Sequence, residues 1–293
     1  SKNDSGENPY LLDYIPSREL NGISSFLTTK PEIEAYTFLR PYLKRIGLEN
    51  ICDPDSLLLL LEDIRTISGS LLLQAISTNN RAFEVIGMAL TKRLLEKKGY
   101  LNNAFLIPLD LHKDLFELKD QDTKERADLM IVQCDPKSRE LHFDVVEIKC
   151  RASLAGEEEL FAKISDQIEH SIESFRSHFE FSENSENDRL DRSVKCIELR
   201  DLFEFYIRRA VRFGQLSESA ANHYFEFCKN LSHGYQLTFG KIQIIYNFSA
   251  ERDYEKIVSD DFTRYIIGKN LIGDIVTSEG ALETFKCEDT LRK

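Results

Sequence analysis

The stretch Asp144-Val-Val-Glu-Ile-Lys-Cys150 decides the fold, because it is written as a buried β-strand and yet carries an acid and a base. Successive strand side chains point to opposite faces of a sheet. Glu147 and Lys149 therefore share one face, while Val146 and Ile148 share the other. An acid and a base on an apolar strand raise the question of what the neighbouring strand brings to the same face.

The preceding residues predict that neighbour. The run "ADLMIVQC" is typical of a strand, and "DPKSRE" at 135–140 has Asp, Pro and Ser where turns favour them. A turn centred between Lys137 and Ser138 pairs Asp128 with Glu147. Opposed residues have Cβ atoms about 4.5–5.5 Å apart, and like charges in that position destabilise the pair. The two carboxylates therefore require a cation or one shared proton.

Magnesium suits such a pair, because Mg²⁺ prefers oxygen ligands and often binds through one or two carboxylates together with water and substrate phosphate. Lys149 lies on the same face one pleat further on, where an ammonium group can steady a water or the negative charge that develops on a phosphate. We therefore predict a Mg²⁺ or Mn²⁺ site, with Asp128 and Glu147 as ligands and the Ile148 carbonyl as a further ligand.

The simpler alternative is a solvated strand face with a surface ion pair, which contributes little to stability. The spacing Glu-x-Lys also occurs at Glu96–Lys98 and Glu117–Lys119, so the spacing alone carries no information. Glu147–Lys149 is the copy that lies within an apolar, β-branched run. The acid predicted opposite it favours the metal site.

The same residues resemble a known family. Asp128 in "RADLMIV", followed by "VVEIKC", resembles the D…(D/E)xK signature of the PD-(D/E)XK nuclease superfamily, which includes RecB-like and restriction-endonuclease-like proteins. The resemblance implies that Asp128 and Glu147 bind a divalent metal and that Lys149 assists the hydrolytic water. Ala127 stands where the family usually has Pro.

The resemblance also implies an α/β fold with a restriction-endonuclease-like core, ordered α-β-β-β-α-β around a mixed sheet flanked by helices. The matching segments are a helix at 81–98, strands between 103 and 150, a helix at 157–180 and a strand at 241–248. Many RecB-like members add a Glu from the first helix and a Gln from the second, and Glu84 and Gln167 match those places. Ser171 stands where the family has Tyr.

The pattern along the chain predicts added helical regions around this core. We expect an N-terminal helical region at 1–75, the nuclease-like core at 76–182 plus 238–250, a helical insertion at 183–237 and a C-terminal extension at 251–293. Phe83, Ile86, Leu90 and Leu94 recur at helical spacing, with Gly87 allowing a close approach to a neighbour.

The net charge of −12 argues against a protein that coats DNA through a generally basic surface. The acidity is uneven, with 3 basic and 11 acidic residues at 156–191 but 13 of each at 81–151. The stretch that carries the predicted site is therefore neutral, which permits local contact with DNA.

The six cysteines form no CxxC pair, which suits a reducing cytoplasm and gives no zinc or iron–sulfur spacing. The longest apolar run is the five leucines at 57–61, far too short for a membrane span. We expect a cytoplasmic protein that does not bind membranes.

These observations favour a metal-dependent nuclease that hydrolyses phosphodiester bonds in DNA. Family resemblance suggests a role in restriction, antiviral defence or DNA processing, with a motor ATPase or translocase as a domain or subunit partner; this chain itself has no Walker A loop. One alternative is a catalytically silent module of the same fold that docks DNA or protein. Another is an unrelated α/β interaction domain.

Overall fold

The computed structural model describes residues 11–15, 25–29, 32–68, 71, 79–112, 126–151, 157–181, 191–249 and 254–277. The predictions for the first ten residues and for residues 278–293 lie outside these ranges. None of the described helices combines the length and the apolar character that crossing a membrane requires.

The described residues form eight strands and seven α-helices. The strands are β1 (Leu11–Ile15), β2 (Ser25–Thr29), β3 (Phe105–Pro108), β4 (Leu129–Asp135), β5 (Glu140–Arg151), β6 (Gln236–Asn247), β7 (Tyr254–Val258) and β8 (Thr263–Gly268). The helices are α1 (Glu32–Arg45), α2 (Pro54–Ile67), α3 (Asn79–Lys97), α4 (Glu157–Phe179), α5 (Arg192–Arg212), α6 (Glu218–Lys229) and α7 (Lys269–Thr277).

Six of the strands form one mixed sheet in the order β3-β4-β5-β6-β8-β7. The neighbours β3, β4 and β5 are antiparallel, β5, β6 and β8 are parallel, and β7 is antiparallel to β8. The predicted α/β class, with a mixed sheet flanked by helices, is confirmed.

Helices cover both faces of the sheet. One apolar layer joins α1, α2, α3 and α7 to the sheet, and a second layer joins α4, α5 and α6 to the opposite face. Alternate residues of the central strands enter the two layers. Val146 and Ile148 of β5 belong to the first layer, and Phe143 and Val145 belong to the second.

Local sequence signals explain where the helices begin and end. Asp53 caps α2, since its carboxylate accepts a hydrogen bond of 2.9 Å from the Ser56 amide, and Pro54 occupies the first turn. Gly99 has a φ of +76° directly after α3, a left-handed conformation that glycine adopts without strain. The apolar stripe of α4 is buried at Ile164, Ile168, Ile172, Phe175 and Phe179.

A four-residue turn joins β4 to β5. Asp135 holds it, because its carboxylate accepts hydrogen bonds from the Lys137 amide (2.9 Å) and the Ser138 hydroxyl (2.8 Å). Arg139 closes the turn with a φ of +57°. The turn pairs Asp135 with Glu140 and thereby sets the register of the whole hairpin.

A buried ionic cluster fastens α2 to α3. Asp63 is 3% exposed, and its two carboxylate oxygens accept from Lys92 Nζ at 2.7 Å and from Arg93 Nε at 2.6 Å. Lys92 also pairs with Glu96 at 2.7 Å, so removing Asp63 would take away the carboxylate of Arg93 and one of the two of Lys92.

The structure extends the predicted organisation at both ends. The strands β1 and β2 pair as an antiparallel hairpin inside the region expected to be helical. At the other end, β8 pairs in parallel with β6 from Ile242 to Asn247. Helix α7 then packs into the same apolar layer as α3. Residues 254–277, expected as an extension outside the core, therefore belong to the main sheet and its helical cover.

Candidate metal centre

The register of the β4–β5 hairpin is the one predicted from its turn. Leu129 pairs with Val146 at the end of the ladder, and Asp128 directly precedes Leu129. The Asp128 amide donates to the Val146 carbonyl at 3.1 Å, and the Asp128 Oδ2 accepts from the Ile148 amide at 2.7 Å. These bonds continue the ladder by one residue, so Asp128 lies across from Glu147.

The two acids lie on the same face of the sheet. Met130 of β4 and Val145 of β5 enter the layer under α4, and the strand alternation puts Asp128 and Glu147 on that side. Glu147 is only 1% exposed, whereas Lys149 keeps 18% of its side chain accessible. The site is therefore closed beneath Glu147 and opens toward Lys149.

Burial and mutual repulsion disturb the ionisation of both acids. Burial raises the pKa of Asp128 to about 6, although the Lys149 charge and the Ile148 hydrogen bond lower it. Burial also raises the pKa of Glu147 well above its ordinary range, and the charge of Asp128 raises it further. Without a bound metal ion, the Asp128–Glu147 pair therefore retains a proton near neutral pH.

Lys149 is the cation of this group. Its ammonium contacts the Glu147 Oε1. Burial lowers the pKa of Lys149, but the charges of Glu147 and Asp128 outweigh that effect and raise it overall. Lys149 therefore stays protonated and can donate hydrogen bonds, but it cannot accept a proton in the range where the acids titrate.

Helix α4 holds the backbone that leads into Asp128. The Ser171 hydroxyl accepts from the Ala127 amide at 2.8 Å and donates to the Gln167 carbonyl at 2.9 Å. The Gln167 Nε2 donates to the Arg126 carbonyl at 3.4 Å. Ser171, where the resembling family has Tyr, thus has a positioning role here, and predicted site residue Gln167 lies beside Asp128 in space.

Glu84 approaches Asp128 from helix α3, which covers the face of the sheet opposite to Asp128 and Glu147. It is exposed, and its charge raises the pKa of Asp128, so the two carboxylates lie within electrostatic range. Gly87, one turn further along α3, permits the approach that brings this helix onto β5. A Cβ there would lie 2.9 Å from the Cys150 Sγ and 3.1 Å from the Ile148 Cγ2.

A row of polar side chains continues from Glu147 across the sheet. Gln243 is its partner in β6, and Arg264 of β8 is the partner of Gln243. The Gln243 Oε1 accepts from Arg264 Nε at 2.7 Å, and its Nε2 donates to the Ser165 hydroxyl at 3.1 Å. The Arg264 guanidinium also lies 3.5 Å above the Phe161 ring centroid. Sequence reasoning missed this row; the single signal for it was a Gln inside the apolar strand "KIQIIYNF".

Two residues next to the site, Arg126 and Cys150, do not have properties that suit catalysis. Arg126 is 9% exposed and binds Asp110 at 3.1 Å, so its guanidinium serves a buried ion pair. Burial raises the pKa of the Cys150 thiol to about 12, which leaves it protonated and unsuited to nucleophilic attack.

The group suits a hard cation. The Glu147 Oε2 and the Gln167 Oε1 are buried and receive no hydrogen bond from the described residues. The described ranges contain no cluster of three or more His, Cys, Asp or Glu side chains around one point. Two carboxylates supplemented by neutral oxygens match the ligand set of Mg²⁺, which usually keeps several waters. They do not match a structural zinc site.

Comparisons of the chain with protein-family models, with curated proteins and with solved structures gave no match in any of the three.

Proposed function

We propose that this chain is a divalent-metal-dependent nuclease of the PD-(D/E)XK type, which hydrolyses phosphodiester bonds in DNA. The observation that carries the proposal is the pairing of Asp128 with Glu147 beside Lys149. The single ammonium of Lys149 offsets one of the two carboxylates, and a divalent metal ion would offset the remaining like-charge repulsion.

The residues of the site take distinct roles in this proposal. Asp128 and Glu147 hold Mg²⁺ or Mn²⁺, together with the Ile148 carbonyl. The bound ion supplies charge neutralisation and polarises the phosphodiester. Lys149 orients the attacking water by hydrogen bonding and offsets the negative charge that develops on the phosphate.

Two further residues support the site from the helices. Gln167 fixes the backbone before Asp128 through the Arg126 carbonyl, and its unpaired Oε1 is available to a water in the coordination sphere. Glu84 adds a third carboxylate at the accessible rim.

The order of elements supports the restriction-endonuclease-like core within the α/β fold. Helix α3 precedes the meander β3-β4-β5, helix α4 follows it, and β6 joins β5 in parallel. Helices α5 and α6 lie between α4 and β6 as the added segment.

The charge of the chain bears on how DNA reaches the site. With a net charge of −12, the protein is not drawn to DNA over its whole surface. We therefore include in the proposal a second subunit or domain, such as a motor ATPase, that delivers DNA in a cytoplasmic defence or DNA-processing complex.

The test is cleavage of DNA by the purified chain in Mn²⁺ and in Mg²⁺, with EDTA as the metal-free control. We expect Lys149→Ala to abolish cleavage while circular dichroism and thermal unfolding remain those of a folded protein. Lys137→Ala is the matched control, because Lys137 is exposed at the turn of the same hairpin. It should cleave like the wild type.

Full activity of Lys149→Ala would remove the catalytic assignment. A wild-type protein that binds Mn²⁺ and DNA without cleaving would favour the docking module instead. Mn²⁺ binding by calorimetry separates these outcomes, since Glu147→Gln should lose metal binding if the carboxylates are the ligands.

A further inference from the structure

A cavity lies next to the candidate metal centre, on the face of the sheet that α3 covers. Its volume is about 290 Å³, and it is lined by Arg45, Ile46, Phe83, Cys150, Phe248 and Ser249. This volume is at the lower limit of about 300 Å³ typical of small-molecule sites. It suits a single planar ring system rather than a larger ligand.

The cavity is continuous in sequence and space with the candidate site. Cys150 follows Lys149 on β5, about 3.3 Å further along the strand. Phe83 precedes Glu84 on α3, and the Cys150 thiol donates to the Phe83 carbonyl at 3.4 Å. The charges of Asp128, Glu84 and Lys149 all act on the Cys150 thiol. Lys149 and Cys150 point to opposite faces of the sheet, and β5 ends at the next residue, Arg151. A DNA strand whose phosphate lies at the carboxylates would therefore reach the mouth of the cavity around this end of β5.

The lining combines aromatic surface with positive charge. Phe83 and Phe248 supply rings, and Tyr42 braces Phe83 at 5.9 Å with the two rings nearly perpendicular. Arg45 is exposed in the last turn of α1. Arg151, also exposed, is not in the lining; strand alternation puts its side chain on the face of Lys149, and its carbonyl accepts from the Phe248 amide at 2.8 Å. Aromatic faces stack on bases of any sequence, while arginines bind the phosphates between them.

We propose that this cavity receives one unstacked nucleobase of the strand whose phosphate lies at the candidate metal centre, which makes single-stranded DNA and frayed ends the preferred substrate. This inference rests on the proposed function. Bases in an intact duplex are stacked and paired, so they enter such a cavity only after extrusion, which costs a few kcal/mol. Arg45 beside the cavity and Arg151 at the end of β5 provide local attraction for the phosphates of the bound strand.

The test measures DNA binding by fluorescence anisotropy in Ca²⁺, which takes oxygen ligands as Mg²⁺ does, and gel analysis verifies that the probe stays intact. The probes are a labelled single-stranded oligonucleotide, its matched duplex, and a series in which one abasic site moves along the single strand. We expect tighter binding of the single strand. We also expect a loss of roughly 5- to 100-fold when the abasic site occupies one particular position, from the usual strength of base–aromatic stacking.

Two variants test the lining. Phe83→Leu keeps an apolar side chain but removes the ring, and should erase the dependence on abasic position. Arg45→Ala, at an exposed position, should weaken binding at every position while thermal unfolding stays that of the wild type. Phe225→Leu and Arg208→Ala are matched controls, because Arg208 lies 5.0 Å above the Phe225 ring on the far layer. Both should bind like the wild type.

Equal affinity for duplex and single strand, or an abasic series without a preferred position, would overturn the inference. The proposed function is judged separately by cleavage. An active protein without the positional effect removes the cavity proposal alone. An inactive protein that keeps the effect removes the nuclease and leaves a base-binding cavity.

Discussion

Replacing Asp128 by Asn should stabilise the metal-free protein, although it removes a residue of the candidate site. Burial raises the pKa of Asp128 from its ordinary 3.8 to about 6. An acid with a raised pKa in the folded state is held most firmly when protonated. Its contribution to stability is complete below about pH 4 and is lost as the pH rises through 6. At ~1.4 kcal/mol per pKa unit, ionised Asp128 costs the fold about 3 kcal/mol at pH 8.

The Asn side chain avoids that cost and keeps the local geometry. Its oxygen can accept the hydrogen bond from the Ile148 amide, and its amide group can donate to Glu147, which has a buried oxygen without a donor. We expect the melting temperature at pH 8 in EDTA to rise by about 6–12 °C, on the scaling of about 2–4 °C per kcal/mol that holds for domains of about 150–250 residues.

Two further measurements check the electrostatic origin of the effect. The gain should disappear as the pH falls below the ordinary pKa of 3.8, where Asp128 is protonated in both folded and unfolded protein. Saturating Mg²⁺ should stabilise the wild type alone, by about 2.7 kcal/mol when its concentration is one hundred times the dissociation constant. The metal should therefore reduce or reverse the difference between the two proteins.

Asp135→Asn is the matched control in the same hairpin. Hydrogen bonds from Lys137 and Ser138 lower the pKa of Asp135, so its replacement should not stabilise the protein. A melting temperature for Asp128→Asn at or below the wild-type value in EDTA at pH 8 would refute the reasoning. In that case the carboxylate pair carries no strain that a metal could relieve.

Three other predictions concern the site and its supports. DNA cleavage, followed in Mn²⁺ between pH 5 and 8, should fall as the pH drops through about 6, because protonation of the raised-pKa carboxylates displaces the metal; a flat profile would contradict this. Asp63→Ala should lower the free energy of unfolding by about 3 kcal/mol in urea titrations, since Arg93 loses its carboxylate partner while Lys92 keeps Glu96, and an effect under about 1 kcal/mol would show that water reaches them. Gly87→Val should destabilise the fold by about 1–3 kcal/mol and reduce cleavage, because the added atoms push α3 from β5; unchanged melting would mean the two elements separate freely.

The sequence was informative where local chemistry determines structure. The turn at Asp135 and Ser138 fixed the register, and the register alone brought Asp128 across from Glu147. Gly87 likewise predicted the close approach of α3 to β5, because a residue without a Cβ leaves room for a neighbouring strand. Such features depend on residues that are near one another in the chain.

Features that depend on distant residues could not be predicted in this way. Arg264 is 117 positions after Glu147, and its place in the polar row follows from the strand order β5-β6-β8, which no local pattern reveals. The strand "YEKIV" is short and half-polar, and joins the sheet because β8 offers it an edge. The β1–β2 hairpin consists of two five-residue strands before two strong helices, whose signals dominated the region.

Arg139 lies in the turn that determines whether Asp128 and Glu147 face each other. It is a non-glycine residue with a positive φ, anchored by its guanidinium to the Asn230 carbonyl at 2.9 Å, and it lies about eight strand residues, or roughly 26 Å, from Glu147. Inserting or deleting one residue in this turn would rotate every side chain of one strand to the reverse surface. The acids would then be separated by the thickness of the sheet, in a protein that keeps most of its helices but no longer has two carboxylates facing each other.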